Sequence, residues 1–243
     1  MGSKLNDRVG RWVALTGEDP SLAPNSAELS ARFRDYPDPC RPGAPPREID
    51  AWERRHGFNL PSALRAWLEL SNGFYLRGPF IHPLSAIGPM VPFARVPELL
   101  VQPESWFELG NPNVETVCMD LAYQWPAAGS PIFTSGDDLT ESPPKLVASS
   151  FESWFLQLLR QGGREYWFEP GFVHLGDPWK AHQRHTPVPA LPDRLRLLVP
   201  HVLPMIRPGA DDRMIASSLG ISRGDVEAIL RHLQHNSQGF AGL

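Results

Sequence analysis

The pattern of apolar and polar positions is most regular between Ile49 and Gly73, IDAWERRHGFNLPSALRAWLELSNG. Ile49, Trp52 and His56 recur at three- and four-residue spacing, and so do Leu64, Trp67, Leu68 and Ser71. Each set therefore lies along one side of a helix. The stretch predicts two short amphipathic helices. Pro61 reads as a first helical residue, where a missing N–H costs nothing. Asn72-Gly73 reads as the stop, because glycine tolerates the left-handed conformation that closes a helix. Upstream, Val9, Trp12 and Val13 form one apolar stripe. Leu29 and Phe33 form another, after a cap candidate at Asn25 or Ser26. Between them and the helix pair, five of the ten residues Pro37 to Pro46 are proline, which predicts an extended linker.

After Gly73 the period changes. Phe80-Ile81, Val91 to Phe93, Trp106 to Leu109, Val114 to Leu121 and Pro131 to Thr134 are short runs separated by Pro, Gly, Asn and Asp, as strands joined by turns are. Val96 to Leu100 has the pattern of a helical turn. Both faces of Val114–Leu121 are mixed, which predicts a strand covered on both sides for part of its length. Gly136 to Pro144 is an acidic turn. A further helix starts at Ser149 or Ser150, with Ser149 and Glu152 at capping-box spacing. Phe151, Trp154, Phe155, Leu158 and Leu159 supply its apolar face, and Gly162-Gly163 ends it. Helices, then strands, then a helix predict an α+β fold, an antiparallel sheet with helices on one face.

Residues 164–191 read as an ordered loop pinned by aromatic side chains. From Leu191 a separate helical unit is expected. Asp193–Ile206 is interrupted by Pro200 and Pro204 and predicts two short helices or one kinked helix. Ile215-Ala216, Leu219-Gly220-Ile221, Val226 and Ile229-Leu230 then fit a helix-turn-helix template. Gly220 would supply the turn, and Ser222 would cap the second helix with Asp225 at capping-box spacing. The expected organisation is 1–170, an α+β domain with N-terminal helices; 171–190, an ordered loop or linker; and 191–243, the helical unit.

Four sites carry a family resemblance. They are Ile49 with Trp52-Glu53 and Gly57; Leu60-Pro61 with Trp67-Leu68 and Asn72-Gly73; Met119-Asp120-Leu121; and Ala148-Ser149-Ser150-Phe151 leading into Trp154. In this order and spacing, Ile49 to Leu159 resembles the SUKH superfamily, which includes yeast cell-wall-assembly regulators and bacterial immunity proteins. The resemblance implies an α+β binding scaffold without shared catalytic machinery. It also implies a protein partner, a toxin in the bacterial members, and marks Glu53, Asn72 and Asp120 as family-motif positions. The proline-rich stretch and the C-terminal extension depart from that pattern.

Composition narrows the picture. The chain has 243 residues, enough for one sizeable core plus a satellite, and its net charge of −4 gives no global pull toward nucleic acid or anionic membrane. Cys40 and Cys118 are too few for a disulfide framework and read as reduced structural thiols. The N-terminus lacks a signal-peptide apolar region, and no apolar run approaches the roughly 18–20 residues of a membrane span. The expected location is cytoplasmic.

Candidate chemistry is sparse. His182-x-x-His185 and His232-x-x-His235 have usable metal spacings but lack the three or four convergent ligands that zinc requires, so no metal or cofactor is expected. No nucleophile-elbow, phosphate-loop or dinucleotide glycine pattern occurs, and no enzyme is expected. The acidic loop Asp137, Asp138 and Glu141 is a candidate partner-binding patch, because acidic side chains steer association with a basic partner. Tyr75 and Phe80 are candidate aromatic anchors. The expected function is a non-enzymatic protein-binding module, an immunity or regulatory interaction protein that occludes its partner. The alternative is a transcriptional regulator binding DNA through the C-terminal unit, with Arg223 and Arg231 as first contacts. That unit carries six Arg against four Asp and one Glu, and its second helix, Ser222 to His235, is neutral, which weighs against DNA.

Overall fold

The computed structural model describes residues 3–36, 38–90, 103–113, 115–122, 129–136, 144–185, 191–205 and 211–236. The expected helical turn Val96–Leu100 and the run Val91 to Phe93 lie outside them.

Helix α1 (Ser3–Thr16) buries Leu5, Val9, Trp12 and Val13 on one face. Helix α2 (Ser26–Arg32) is capped by Asn25. Its Oδ1 accepts from the Glu28 N–H at 3.0 Å, while Glu28 Oε2 accepts from the Asn25 N–H at 3.0 Å. Helix α3 (Pro46–His56) ends at Gly57, whose φ of 73° only glycine adopts without strain. Helix α4 (Ser62–Leu70) differs from expectation at both ends. Pro61 is its cap rather than its first residue, and extended Ser71 closes it rather than Asn72-Gly73. Ser71 can do so because its hydroxyl donates to the Gly73 carbonyl at 2.7 Å and accepts from the Arg41 N–H at 3.0 Å.

The proline-rich stretch is no free linker. Proline cannot donate, but its carbonyl accepts. Asn72 N–H donates to the Pro42 carbonyl, Tyr75 N–H to the Pro39 carbonyl, and Ala44 N–H to the Leu68 carbonyl. The segment is thereby laid along the end of α4 and the start of β1 (Phe74–Tyr75). A Cβ on Gly43 would meet the Glu69 carbonyl oxygen at 1.9 Å, so only glycine permits that approach.

β1 pairs antiparallel with β2 (Pro79–Ile81). The main sheet is a five-stranded antiparallel meander in sequence order. It comprises β3 (Gly88–Pro89), β4 (Trp106–Gly110), β5 (Thr116–Asp120), β6 (Ile132–Ser135) and β7 (Lys145–Ala148). β7 was not among the predicted strands; its four residues run straight into the serine cap of the next helix. The α+β class with an antiparallel sheet is therefore observed.

Side chains alternate across the strands, so each face has its own core. Phe107, Leu109, Val117, Met119, Ile132 and Val147 face α1 to α4 and α5 (Phe151–Arg160). Trp106, Cys118, Phe133 and Leu146 face the other way, against Met90, Ala181 and Trp179. The last two belong to α6 (Pro178–His185), within the stretch expected to be loop. Helices therefore cover both faces rather than one, and β5 is buried on both, as its mixed pattern predicts. The 171–190 segment is, in its described part, a sheet-covering element. Leu146 fixes its entry by exchanging hydrogen bonds with Leu175 and Gly176.

Beyond residue 190, α7 (Asp193–Arg196), α8 (Val199–Val202), α9 (Asp212–Leu219) and α10 (Arg223–Asn236) enclose a separate small core of Leu191, Leu195, Val202, Ile215, Ala216, Val226, Ile229 and Leu230. Gly220 adopts φ 65° between α9 and α10. Ser222 Oγ accepts from Asp225 N–H at 3.1 Å, and Asp225 Oδ2 accepts from Ser222 N–H at 3.3 Å. Among the described residues, no helix is long and apolar enough to cross a membrane.

Candidate functional site

The family-motif residues are used inside the fold. Glu53 Oε1 accepts from the Leu60 N–H at 2.9 Å, which closes the α3–α4 turn. Its Oε2 accepts from Arg65 Nη1 at 2.8 Å, and Arg65 also pairs with Asp50 at 2.6 Å. Asn72 Oδ1 accepts from the Leu84 N–H at 2.7 Å, tying the end of α4 to the turn after β2.

Asp120 anchors the other face of the sheet. Its side chain is 2% exposed, and four donors converge on it. Oδ1 accepts from Ser105 Oγ at 2.7 Å and Ala122 N–H at 2.9 Å. Oδ2 accepts from Trp106 Nε1 at 3.1 Å and lies 2.6 Å from Nδ1 of His182 on α6. That separation makes His182 Nδ1–H the donor. The contact, with Trp179 against Trp106 at 4.3 Å between ring centroids, clamps α6 to the sheet. Spacing in the sequence offers His182 only as a metal ligand. Its partner is 62 residues away, beyond the reach of any spacing rule. Among the described residues, no group of three or more His, Cys, Asp or Glu is placed to hold a metal ion.

The proposed aromatic anchors need correction. Phe80 is 4% exposed and belongs to the main core, so it presents no surface. Tyr75 is half-buried, and the Arg41 guanidinium covers its ring at 3.9 Å. Asp137, Asp138 and Glu141 lie outside the described residues.

An open groove of about 870 Å³ runs beside the start of α5. Its lining comes from the end of β7, the Glu18–Leu22 connection, the start of α4 and the Tyr166–Leu175 segment. Leu22 (44% exposed) and Leu175 (54%) put apolar surface into it. Burial pushes the Tyr166 hydroxyl far above its ordinary range, so it stays protonated.

The cap of α5 decides what else the groove holds. Ser150, not Ser149, is the N-cap. Its Oγ accepts from the Ser153 N–H at 3.1 Å and donates to Ser153 Oγ at 3.2 Å. The capping box is thus Ser150 with Ser153, and Glu152 is not needed for it. Glu152 lines the groove with its Oε2 buried and without a hydrogen-bond partner. Burial raises the Glu152 carboxyl above its ordinary range. The first-turn N–H and Ser150 pull it back, and the Glu18 carboxylate pushes it up again. Arg160, also on the lining, has its guanidinium on the Leu22 carbonyl.

In the C-terminal unit, Arg223 pairs with Asp212 and, at 3.4 Å, with Glu227. Arg194 pairs with Asp225 at 2.8 Å. Arg231 lies on α10, and its side chain is outside the described residues. The first residue of the expected DNA-reading face is thus held by its own domain's carboxylates.

Comparison with protein-family models gives no match, and comparison with curated proteins gives none either.

Proposed function

We propose that the protein is a non-enzymatic protein-binding module, an immunity protein or related regulatory interaction protein that acts by occluding its partner. One observation carries the reading. Among the described residues eight large apolar side chains are exposed, and four of them, Leu22, Phe168, Val173 and Leu175, come from the two segments that border the groove beside α5, with Leu22 and Leu175 on its lining. Exposed apolar side chains on the wall of a concavity, with polar groups beside them, support a contact surface. Glu53, Asn72 and Asp120, the positions the SUKH resemblance marks, are occupied in holding the scaffold together, which leaves recognition to loops and grooves. An interface of ordinary size centred there would block a partner's active site without chemistry.

The test is affinity capture from cells of origin with two baits, the wild-type chain and the double variant Leu22→Asp with Leu175→Asp. Both positions are surface sites, so the variant keeps its fold by circular dichroism. A protein retained by the wild-type bait and reduced at least about tenfold on the variant is the expected result, because charge on an interface centre costs well over 1.4 kcal/mol. A prey held equally by both baits contradicts the groove as the binding surface. Enrichment of DNA instead of protein favours the regulator reading.

A further inference from the structure

The groove also defines the chemistry of what it takes. Its lining combines exposed leucine surface with two carboxylates, Glu18 and Glu152, whose influence on one another is repulsive. The one arginine on the lining is engaged by the Leu22 carbonyl. Glu152 Oε2 is buried with no hydrogen-bond partner.

We propose that the groove beside α5 binds a basic segment of the partner protein, with a Lys or Arg side chain inserted so that its head pairs with Glu152 and its stem lies on Leu22 and Leu175. This inference rests on the protein-binding reading and adds the class of side chain recognised. Three physical needs are met together. A cation at the Glu152 carboxyl compensates a charge that is partly buried on the groove lining. It relieves the Glu18–Glu152 repulsion. The methylene stem of Lys or Arg covers apolar lining that would otherwise face water. A neutral apolar segment would meet only the last need, and an acidic one would add a third negative charge. The pairing requires ionised Glu152. Affinity is therefore present above the raised pKa of this carboxyl and is lost as pH falls through it.

The experiment uses the full chain and three fluorescein-labelled peptides of sequence Ser-Gly-Leu-X-Leu-Gly-Ser, with Lys, Gln or Glu at X. Binding is read by fluorescence anisotropy at low and high salt. The Lys peptide is expected to bind saturably with Kd at or below about 1 mM and about tenfold more tightly than the Gln peptide. The Glu peptide is expected to bind most weakly, and added salt to erode the Lys preference. Glu152→Gln, which keeps shape and removes charge, is expected to abolish the Lys-over-Gln preference and its pH dependence. Glu18→Gln is expected to weaken it less. Equal binding of Lys and Gln peptides, a preference that survives Glu152→Gln, or no saturable binding of the Lys peptide overturns the proposal. A groove-dependent prey from the capture experiment, with no Lys preference in the peptides, refutes this inference alone. A clear Lys preference with no protein captured by either bait refutes the protein-binding reading instead.

Discussion

Replacing Asp120 by alanine is expected to cost about 3–5 kcal/mol of folding stability. The carboxylate is almost wholly buried, and it accepts from Ser105, Ala122, Trp106 and His182. Its removal strands three neutral donors and the imidazole that holds α6. Each buried orphan costs on the order of 1–3 kcal/mol, less whatever water can replace. His182→Ala removes one of the four donors and exposes a partly accessible site, so its cost is expected near 1–2 kcal/mol. Urea denaturation of the two variants checks the order. An Asp120→Ala loss below about 1 kcal/mol would contradict the clamp.

Trp67→Ala is the second large effect, expected at about 3–5 kcal/mol. The indole is fully buried where α4, α1, α5 and β1 meet. Its ring centroid lies 4.5 Å from Phe155, 5.9 Å from Phe74 and 6.5 Å from Trp12. The cavity left behind would be walled by aromatic rings locked to one another, which collapse poorly. Trp67 Nε1 has no hydrogen-bond partner, so Trp67→Phe removes an unmet donor along with volume and is expected to cost less than half as much. Thermal and urea unfolding of both variants gives the comparison, and equal losses would place the penalty elsewhere than in the cavity.

Much of the scaffold was legible because its signals are local. Stripes at helical spacing located α1 to α5, and Gly57 and Gly220 mark helix ends where their positive φ is needed. The reading failed where a partner was distant or a competing local choice existed. β7 has four residues, too short to establish a period, and is defined by pairing with β6. Helix α6 is held by Trp106 and Asp120, neither near it in sequence. Phe80 looked like a surface aromatic because a three-residue strand cannot reveal which face is covered.

The groove was harder still to see. Its lining comes from five separate stretches of chain, and the chemical clue within it turned on one residue of cap register. With Ser149 as the cap, Glu152 is consumed by helix geometry. With Ser150 as the cap, Glu152 is left over. The helix-turn-helix pattern was legible in the same local way, through Gly220 and the Ser222–Asp225 box. Its function was not, because the Arg223 pairings with Asp212 and Glu227 decide how much charge that face can offer.

The most direct measurement of the central claim is backbone hydrogen–deuterium exchange on the chain alone and in the complex recovered by capture. Slower exchange is expected in residues 18–22, 149–157 and 166–175, with the α9–α10 backbone unchanged. Protection confined to α9 and α10, with those three segments exchanging as in the free chain, would contradict that claim.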